Sequence, residues 1–264
     1  MATITMRILY PCNPLEPKEP DQPFTDEFVA VQKLGIPASL FAYDDLSFGD
    51  FKPRPHIQSG ETVLYRGWMF NIIAYQEFTD FIRKKGGIPV TSPADYTLCH
   101  HLNQWYSACA ELTPETVFLE KGSNYLEQIS NLNWDAYFIK DFVKSNTDAQ
   151  GSIANTPEQA VKIINLIEQY RGELEGGVAV RRVEQFQPQS ELRYFVINGN
   201  AYSPNAEIPT IVKTVTQRIE APFYSIDIAK TTEGIERIVE LGDGQVSERK
   251  TWSLDRFVSM LVQQ

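Results

Sequence analysis

Short apolar runs alternate with helical spacing in the first part of the chain. The runs predict four β-strands, at residues 7–10, 38–41, 62–65 and 88–90. Apolar spacing predicts one helix that begins at Thr25 and a second over residues 69–85. Strands that alternate with helices favour a mixed or parallel sheet covered by helices.

The pattern changes after residue 113. A strand is predicted at 137–140, and Thr156-Pro157 with Gln159 predicts the start of a helix that runs to about residue 170. Five further strands are predicted, at 177–183, 192–197, 200–203, 223–229 and 235–241. Ser253 begins a last amphipathic helix. This succession predicts an α+β part with an antiparallel sheet.

The same pattern predicts how the chain divides. We expect an N-terminal α/β domain over 1–112 and a second domain over 113–264. Within the second domain we expect a central subdomain over about 113–176 and an antiparallel-sheet subdomain over about 177–264.

Composition narrows the class of protein. Hydrophobic residues make up 42% and charged residues 22%, which is typical of a globular chain. No apolar run reaches the roughly 18 residues of a membrane span. The net charge of −10 disfavours nucleic acid as the main ligand. Three cysteines without close spacing, and a first segment unlike a secretory signal, lead us to expect a cytoplasmic protein.

Two lysines frame a candidate phosphate-binding segment. Lys140 ends an apolar strand, and Lys144 precedes a polar, glycine-containing loop. Two ammonium groups beside loop amides can bind a triphosphate. A lysine at a strand end is more often simply solvated, so this pattern alone is weak.

Carboxylates interrupt two of the predicted strands. Asp227 and Glu240 each lie in an otherwise apolar run, where a charge is costly unless it is paired. On neighbouring strands they could hold one Mg²⁺, with Asp243 and Gln245 completing the oxygen ligands. Two salt bridges at strand edges are an equally good interpretation.

Arginines provide further candidates. Glu191 and Arg193 share one face of a predicted strand, which points either into a cleft or to solvent as an ion pair. Arg66 directly follows a predicted strand and could bind a substrate carboxylate, or it could be an ordinary surface arginine. Arg181 and Arg182 are adjacent, so only one of them can face a cleft.

The order of these features over about residues 115–250 resembles the ATP-grasp fold. Residues 137–145 (YFIKDFVKS) and 240–246 (ELGDGQV) are similar to the clade of that superfamily named for one arginine and two lysines. Residues 65–69 (YRGWM) and 91–93 (TSP) also look like that clade. The resemblance implies an ATP-grasp fold with an N-terminal α/β domain, and ATP and Mg²⁺ as cofactors.

The resemblance also implies a role for each nucleotide-binding residue. Lys140 and Lys144 would contact the ATP phosphates, and Glu191 would bind the ribose. Glu184 would accept a hydrogen bond from the adenine amino group, with three hinge residues beside the ring: Gln185, Phe186 and Gln187.

At the reacting end of the nucleotide, Arg193 would face the transferring phosphoryl group or the substrate carboxylate. Asp227 and Glu240 would bind Mg²⁺. Many relatives have Asn two residues after the metal-binding Glu, where this chain has Gly242, so Asp243 or Gln245 would be the third ligand.

The implied activity is that of an ATP- and Mg²⁺-dependent carboxylate–amine ligase, which forms an amide or peptide bond through an acylphosphate. Its partners would be a small molecule or peptide with a carboxylate, and an amine-bearing acceptor, with neither nucleic acid nor membrane involved. Two alternatives stay open: a nucleotide-binding regulatory or scaffold protein without turnover, and a phosphotransferase on the same fold.

Overall fold

The computed structural model describes residues 6–143, 151–171, 174 and 176–262, except for the side chains of 170 and 171. These residues form three four-stranded sheets, which are taken in chain order below. Among them, no helix combines the length and apolar character needed to cross a bilayer.

The first sheet is parallel, with the strand order β2-β1-β3-β4. Its elements are β1 (Met6–Pro11), β2 (Ala38–Phe41), β3 (Thr62–Tyr65) and β4 (Ile88–Pro89), with α1 (Thr25–Lys33) and α2 (Ile72–Lys84) between them. Short 3-10 helices lie at Gln22–Phe24 and Asp44–Phe48. The strands are short, continuous apolar runs because both faces of a parallel sheet are covered.

Two predicted helix starts in this part were wrong. Thr25 does not cap α1, because a 3-10 turn capped by Asp21 already leads into the helix. The second helix begins at Ile72 rather than residue 69, where the side chain of Asn71 accepts a hydrogen bond from the Ala74 amide. In both cases a side-chain cap a few residues away determines the start.

Two helices follow that cross to the C-terminal half. They are α3 (Pro93–His100), which has a capping box between Ser92 and Asp95, and α4 (Leu102–Cys109), which no sequence pattern predicted. A 3-10 turn at Ala110–Leu112 comes next. Leu102 and Trp105 of α4 pack in one core with Ile226 and Ile238 of the third sheet. The predicted division at 112/113 stays a prediction.

The second sheet is antiparallel, with the order β5-β8-β6-β7. Its elements are β5 (Thr116–Leu119), α5 (Tyr125–Ser130), β6 (Tyr137–Asp141), β7 (Ile153–Ala154), α6 (Pro157–Arg171) and β8 (Val178–Arg182). Ile139 and Val180 face α6, where they pack with Ile163 and Ile164. Because side chains alternate along a strand, Lys140 points to the opposite face.

The third sheet, also antiparallel, has the order β10-β9-β11-β12. Its elements are β9 (Leu192–Ile197), β10 (Asn200–Tyr202), α7 (Thr210–Thr216), β11 (Phe223–Lys230), β12 (Glu236–Asp243) and α8 (Leu254–Leu261). Asn198 and Gly199 both have positive φ angles, as the predicted hairpin turn requires.

The third sheet is covered on both faces. Tyr194 and Ile226 face the core that contains α4, whereas Phe195 and Phe223 face a core shared with Tyr10 of the first sheet. The predicted fold class is confirmed: an N-terminal parallel α/β sheet precedes two antiparallel sheets. The two faces of β11 and β12 therefore place alternate side chains in different environments, which decides where the candidate residues lie.

Candidate functional site

Asp227 and Glu240 lie side by side on β11 and β12. They are directly opposed in the antiparallel register, so both carboxylates project from the same face of the sheet. Arg193, which opposes Asp227 from β9, donates from Nε to Oδ1 at 2.7 Å and from Nη2 to Oδ2 at 2.6 Å. This bidentate pair is buried and holds the Asp227 carboxylate in one orientation.

Lys140 reaches this face from the second sheet. Its Nζ donates to Glu240 Oε1 at 2.8 Å, a contact between residues 100 positions apart. The lysine is buried, but the Glu240 side chain is 41% exposed. Burial pushes the pKa of Glu240 up, but the Lys140 ammonium outweighs that effect and holds the pKa below its ordinary value. Glu240 therefore remains ionised at an edge open to solvent.

Lys250 is a further cation in this cluster that sequence reasoning missed. Its Nζ donates to Asp227 Oδ2 at 2.8 Å and also to Glu191. The adjacent carboxylates raise the pKa of Lys250 against the opposing effect of burial. It belongs to no strand and no motif, so only its position in the tertiary structure reveals it.

Arg181 and Arg182 are now distinguished. Arg181 is buried and donates to the carbonyl of Val239 at 2.7 Å and to the hydroxyl of Thr113. Its Nε has no partner, and burial lowers its pKa to about 10. Arg182 is exposed, with an oxygen of Glu115 at 3.6 Å. Arg181 is therefore the one that faces the third sheet.

The expected hinge, 184–187, is held against the β11–β12 hairpin. The Glu184 carboxylate accepts two hydrogen bonds from Arg237, at 2.9 and 2.6 Å. The Gln187 amide donates to the carbonyl of Lys230, and the Thr232 amide donates to the carbonyl of Gln185. A cleft of about 380 Å³ beside the hinge is lined partly by Glu184 and Gln185.

Phe186 forms an isolated antiparallel bridge with Thr231. The backbone of the hinge is thus largely engaged within the protein, and a role for residues 184–187 toward adenine stays a proposal.

The expected third metal ligands do not join Asp227 and Glu240. Asp243 lies three residues after Glu240 on β12, so its side chain projects from the opposite face. The Gln245 amide nitrogen donates to Asp243 Oδ1 and to the hydroxyl of Tyr75, and its oxygen accepts from the Tyr65 amide. Both side chains are thereby fixed in the interior beside the first sheet.

Burial raises the pKa of Asp243 to about 7, although hydrogen bonds from Gln245 partly counteract it. Its Oδ2 has no hydrogen-bond partner. Asp243 is thus a buried carboxyl group at the junction of two sheets.

Arg66 is neither a surface residue nor a free substrate clamp, which corrects both earlier interpretations. It is 2% exposed, and its Nε and Nη2 donate to the Glu27 carboxylate at 2.8 and 3.1 Å. Its Nη1 donates to the carbonyls of Gly244, Gln245 and Ser247. With all three nitrogens engaged, Arg66 joins β3, α1 and the segment after β12. Lys144, the second expected phosphate-binding lysine, lies outside the described residues.

The donor set fits a divalent cation bound together with phosphate groups. Two adjacent carboxylates are available, and within the described ranges no group of three His, Cys, Asp or Glu side chains could hold a metal ion by itself. Mg²⁺ is usually bound by one or two carboxylates plus substrate phosphates rather than by a complete protein cage. Lys140 at the same edge would add positive charge for the phosphates.

The sequence of residues 125–261, more than half of the chain, matches the model of an ATP-grasp domain family, the third family of the clade named for one arginine and two lysines. The chain belongs to this family. Its Lys140, Asp227 and Glu240, far apart in sequence, meet where the second and third sheets of this ATP-grasp fold face each other.

Solved structures have the same fold. A crystal structure of the D-cycloserine synthetase DcsG is 11% identical with a TM-score of 0.65, covering 97% of this chain and 98% of that one. D-alanyl-alanine synthetase A from Vibrio cholerae is 13% identical with a TM-score of 0.65, covering 99% and 98%. The macrocyclase MdnC from Microcystis aeruginosa, bound with precursor peptide MdnA, is 12% identical with a TM-score of 0.61, covering 98% and 100%. No curated protein sequence matches this chain significantly.

Proposed function

We propose that this ATP-grasp protein is an ATP- and Mg²⁺-dependent ligase that joins a carboxylate to an amine through an acylphosphate. One observation carries the proposal: Lys140 of the second sheet lies against Glu240, next to Asp227, on the third. A lysine opposite two carboxylates is the arrangement needed to bind a triphosphate and its metal ion.

Each residue has a physical role in this proposal. The Lys140 ammonium would leave Glu240 and bind a phosphate oxygen, and Lys144 would do the same. Asp227 and Glu240 would hold Mg²⁺, which would supply positive charge to the phosphates. Arg193 acts chiefly by orienting Asp227, since its Nε and Nη2 are both committed to that carboxylate. Glu191 and the hinge residues 184–187 would bind the nucleoside.

The chemistry explains the need for ATP. A carboxylate is a poor acyl donor, because oxide is a poor leaving group. Transfer of the γ-phosphoryl group to a carboxylate oxygen makes an acylphosphate, and attack of the amine nitrogen then expels phosphate. The protein contributes mainly by holding the reactants together and by placing positive charge where negative charge develops.

The substrate class follows from the relatives only in outline. One solved relative is named as a D-alanyl-alanine synthetase, and another is bound to a precursor peptide. We therefore propose a small molecule or a peptide that bears a carboxylate, and an amine-bearing acceptor.

The test measures nucleotide binding and turnover separately. AMPPNP binding is measured for the wild type and for Lys140→Ala, with Lys52→Ala, an exposed lysine, as the matched control. ADP release is then measured with Mg²⁺ and pools of amino acids and peptides, for the wild type, Asp227→Ala and Glu240→Ala. We expect weakened binding in Lys140→Ala alone among the lysine variants, and loss of turnover in both carboxylate variants. Wild-type behaviour in all three site variants rejects the proposal.

A second candidate is a nucleotide-binding regulatory protein without turnover. It is favoured by Gly242, which provides no side chain two residues after Glu240. AMPPNP binding without ADP release across all pools would support it. A third, a phosphotransferase, would give a product heavier by one phosphoryl group instead of a condensation product.

A further inference from the structure

Asp227 is already saturated with positive charge in the protein itself. Its Oδ1 accepts from Arg193, and its Oδ2 accepts from both Arg193 and Lys250. Lys250 also contacts Glu191, and Lys140 contacts Glu240. Three carboxylates and three cations thus lie together, with no formal net charge among them.

Lys250 and Lys140 are attached to the molecule differently. Lys140 comes from the second sheet and bonds to a single, partly exposed carboxylate. Lys250 lies in a turn fastened to the sheet that carries Asp227. The Trp252 indole donates to the Arg193 carbonyl at 2.8 Å, and Arg193 Nη1 donates to the Glu248 carbonyl at 3.0 Å.

The turn also commits Lys250 to this position through its backbone. Lys250 has a φ of 46°, in the left-handed region that residues other than glycine, asparagine and aspartate seldom adopt. Its neighbours on both sides fasten the turn to β9. A change in separation between the two sheets would therefore move Lys140 away from Glu240 but leave Lys250 on Asp227.

The carboxylate face offers no third ligand for metal ions among the described residues of β12 and the segment after it. Gly242 is the next position on that face after Glu240, and a Cβ there would lie 3.1 Å from the hydroxyl oxygens of Ser225 and Ser247. Asp243 and Gln245 are fixed on the interior side by their mutual hydrogen bonds and by Tyr75. Two adjacent carboxylates, one of them carrying two cations, are too few to bind a pair of divalent ions.

We propose that Lys250 is a resident cation of the nucleotide site, whose ammonium occupies the Asp227 oxygen that a second divalent ion would need. The site therefore takes one divalent cation per nucleotide, held chiefly from the Glu240 side. This inference rests on the proposed function only in requiring that the protein binds ATP with a divalent metal. Like charges within hydrogen-bond distance of one oxygen repel, so ammonium and metal ion compete for it.

The experiment counts metal ions rather than activity. Mn²⁺ bound per chain in the presence of saturating AMPPNP is measured by electron paramagnetic resonance for the full chain. We expect one Mn²⁺ in the wild type and in Lys250→Arg, which keeps the charge. We expect two in Lys250→Ala and Lys250→Gln, where Asp227 Oδ2 and Glu191 lose the ammonium. Lys230→Ala, an exposed lysine at the end of β11, is the matched control and should bind one.

Affinity gives a second readout. At limiting Mn²⁺, Lys250→Ala should bind AMPPNP about tenfold more weakly, because a charge-assisted interaction is lost, and added Mn²⁺ should restore the affinity. Two neutral variants are used so that misfolding of one still leaves the other to decide the result. Their thermal unfolding midpoints are compared with that of Lys230→Ala.

The outcomes separate the two proposals. AMPPNP binding with two Mn²⁺ in the wild type, or with one Mn²⁺ in both neutral variants, overturns the role of Lys250 and leaves the proposed ligase standing. Absence of AMPPNP binding in the wild type overturns both.

Discussion

Two clusters of opposite charges join the three sheets, and they differ in how completely their groups are satisfied. In the first, Arg66 and Glu27 are each 2% exposed, and every nitrogen of the guanidinium has a fixed partner. In the second, Glu240 is 41% exposed, and its partner Lys140 comes from another sheet. The first cluster holds the first sheet to the segment after β12, whereas the second lies at an edge that a ligand can enter.

The comparison teaches that burial of an arginine beside a carboxylate does not by itself identify a functional site. A completely satisfied ion pair can be replaced but not broken without a large cost. A partly exposed pair can exchange its partner for a ligand, since water screens the separated charges. The predictions below test this difference, beginning with the largest expected effect.

Arg66→Met should destabilise the protein by about 3–5 kcal/mol, because Glu27 would be left as an uncompensated buried charge. Urea unfolding measures the change. The double variant Arg66→Met/Glu27→Gln should recover part of the loss, since it removes both charges. A loss below about 1 kcal/mol in the single variant would show that Arg66 does not hold this junction.

Asp243→Asn should change how stability depends on pH. The raised pKa, about 7 in the folded state, means that the folded protein binds a proton more tightly than the unfolded chain does. Stability contributed by this group is therefore fully present below about pH 4 and is lost as pH rises to about 7. The variant should be about 2–4 kcal/mol more stable relative to wild type at pH 8 than at pH 4. Urea unfolding at the two pH values checks this, and an unchanged difference contradicts it.

Lys140→Met should weaken AMPPNP binding by roughly 10- to 100-fold, the range expected for loss of a charged hydrogen bond. Its free energy of unfolding should change by less than about 1 kcal/mol, because Glu240 is partly exposed and can be hydrated. Calorimetric titration and urea unfolding give the two numbers, with Lys213→Met on α7 as the control. A stability loss as large as that of Arg66→Met would remove the distinction between the clusters.

Gly242→Ala should have the smallest effect, a destabilisation of about 1 kcal/mol. The added methyl group would press on the hydroxyls of Ser225 and Ser247, which are 2.8 Å apart and hydrogen-bonded to each other. Thermal unfolding of the variant and of Gly234→Asn, at an open surface turn, provides the comparison. An unchanged midpoint in Gly242→Ala would mean that the face beside Glu240 has room for a side chain.

Much of the fold could be predicted because its strands are short, apolar and separated by clear breaks. The strands at Ala38–Phe41, Thr62–Tyr65 and Leu192–Ile197 have the predicted bounds, and most others differ by one or two residues. The strand β5 and the helices α4, α5 and α7 were not predicted. They are four to eight residues long, and a pattern that short does not distinguish a helix from a strand.

The candidate site was predictable in part for a similar reason. A carboxylate or lysine in an apolar strand stands out in the sequence, and Asp227, Glu240 and Lys140 do meet in the structure. Lys250 lies in an irregular turn, where a lysine is unremarkable. Gln245 and Arg66 were assigned to ligands because sequence does not reveal that a polar side chain has partners 180 residues away.

The sequence by itself determined the family, the order of the strands and helices, and three charged residues of the site. These depend on local periodicity and on residues that apolar strands otherwise exclude. Only the tertiary structure decided which face of β12 each carboxylate occupies, which arginine is buried, and that Lys250 lies on Asp227. Those outcomes depend on the register between strands and on contacts between sheets. A shift of one residue in register would exchange the two faces of a strand, and local sequence does not encode which face meets which sheet.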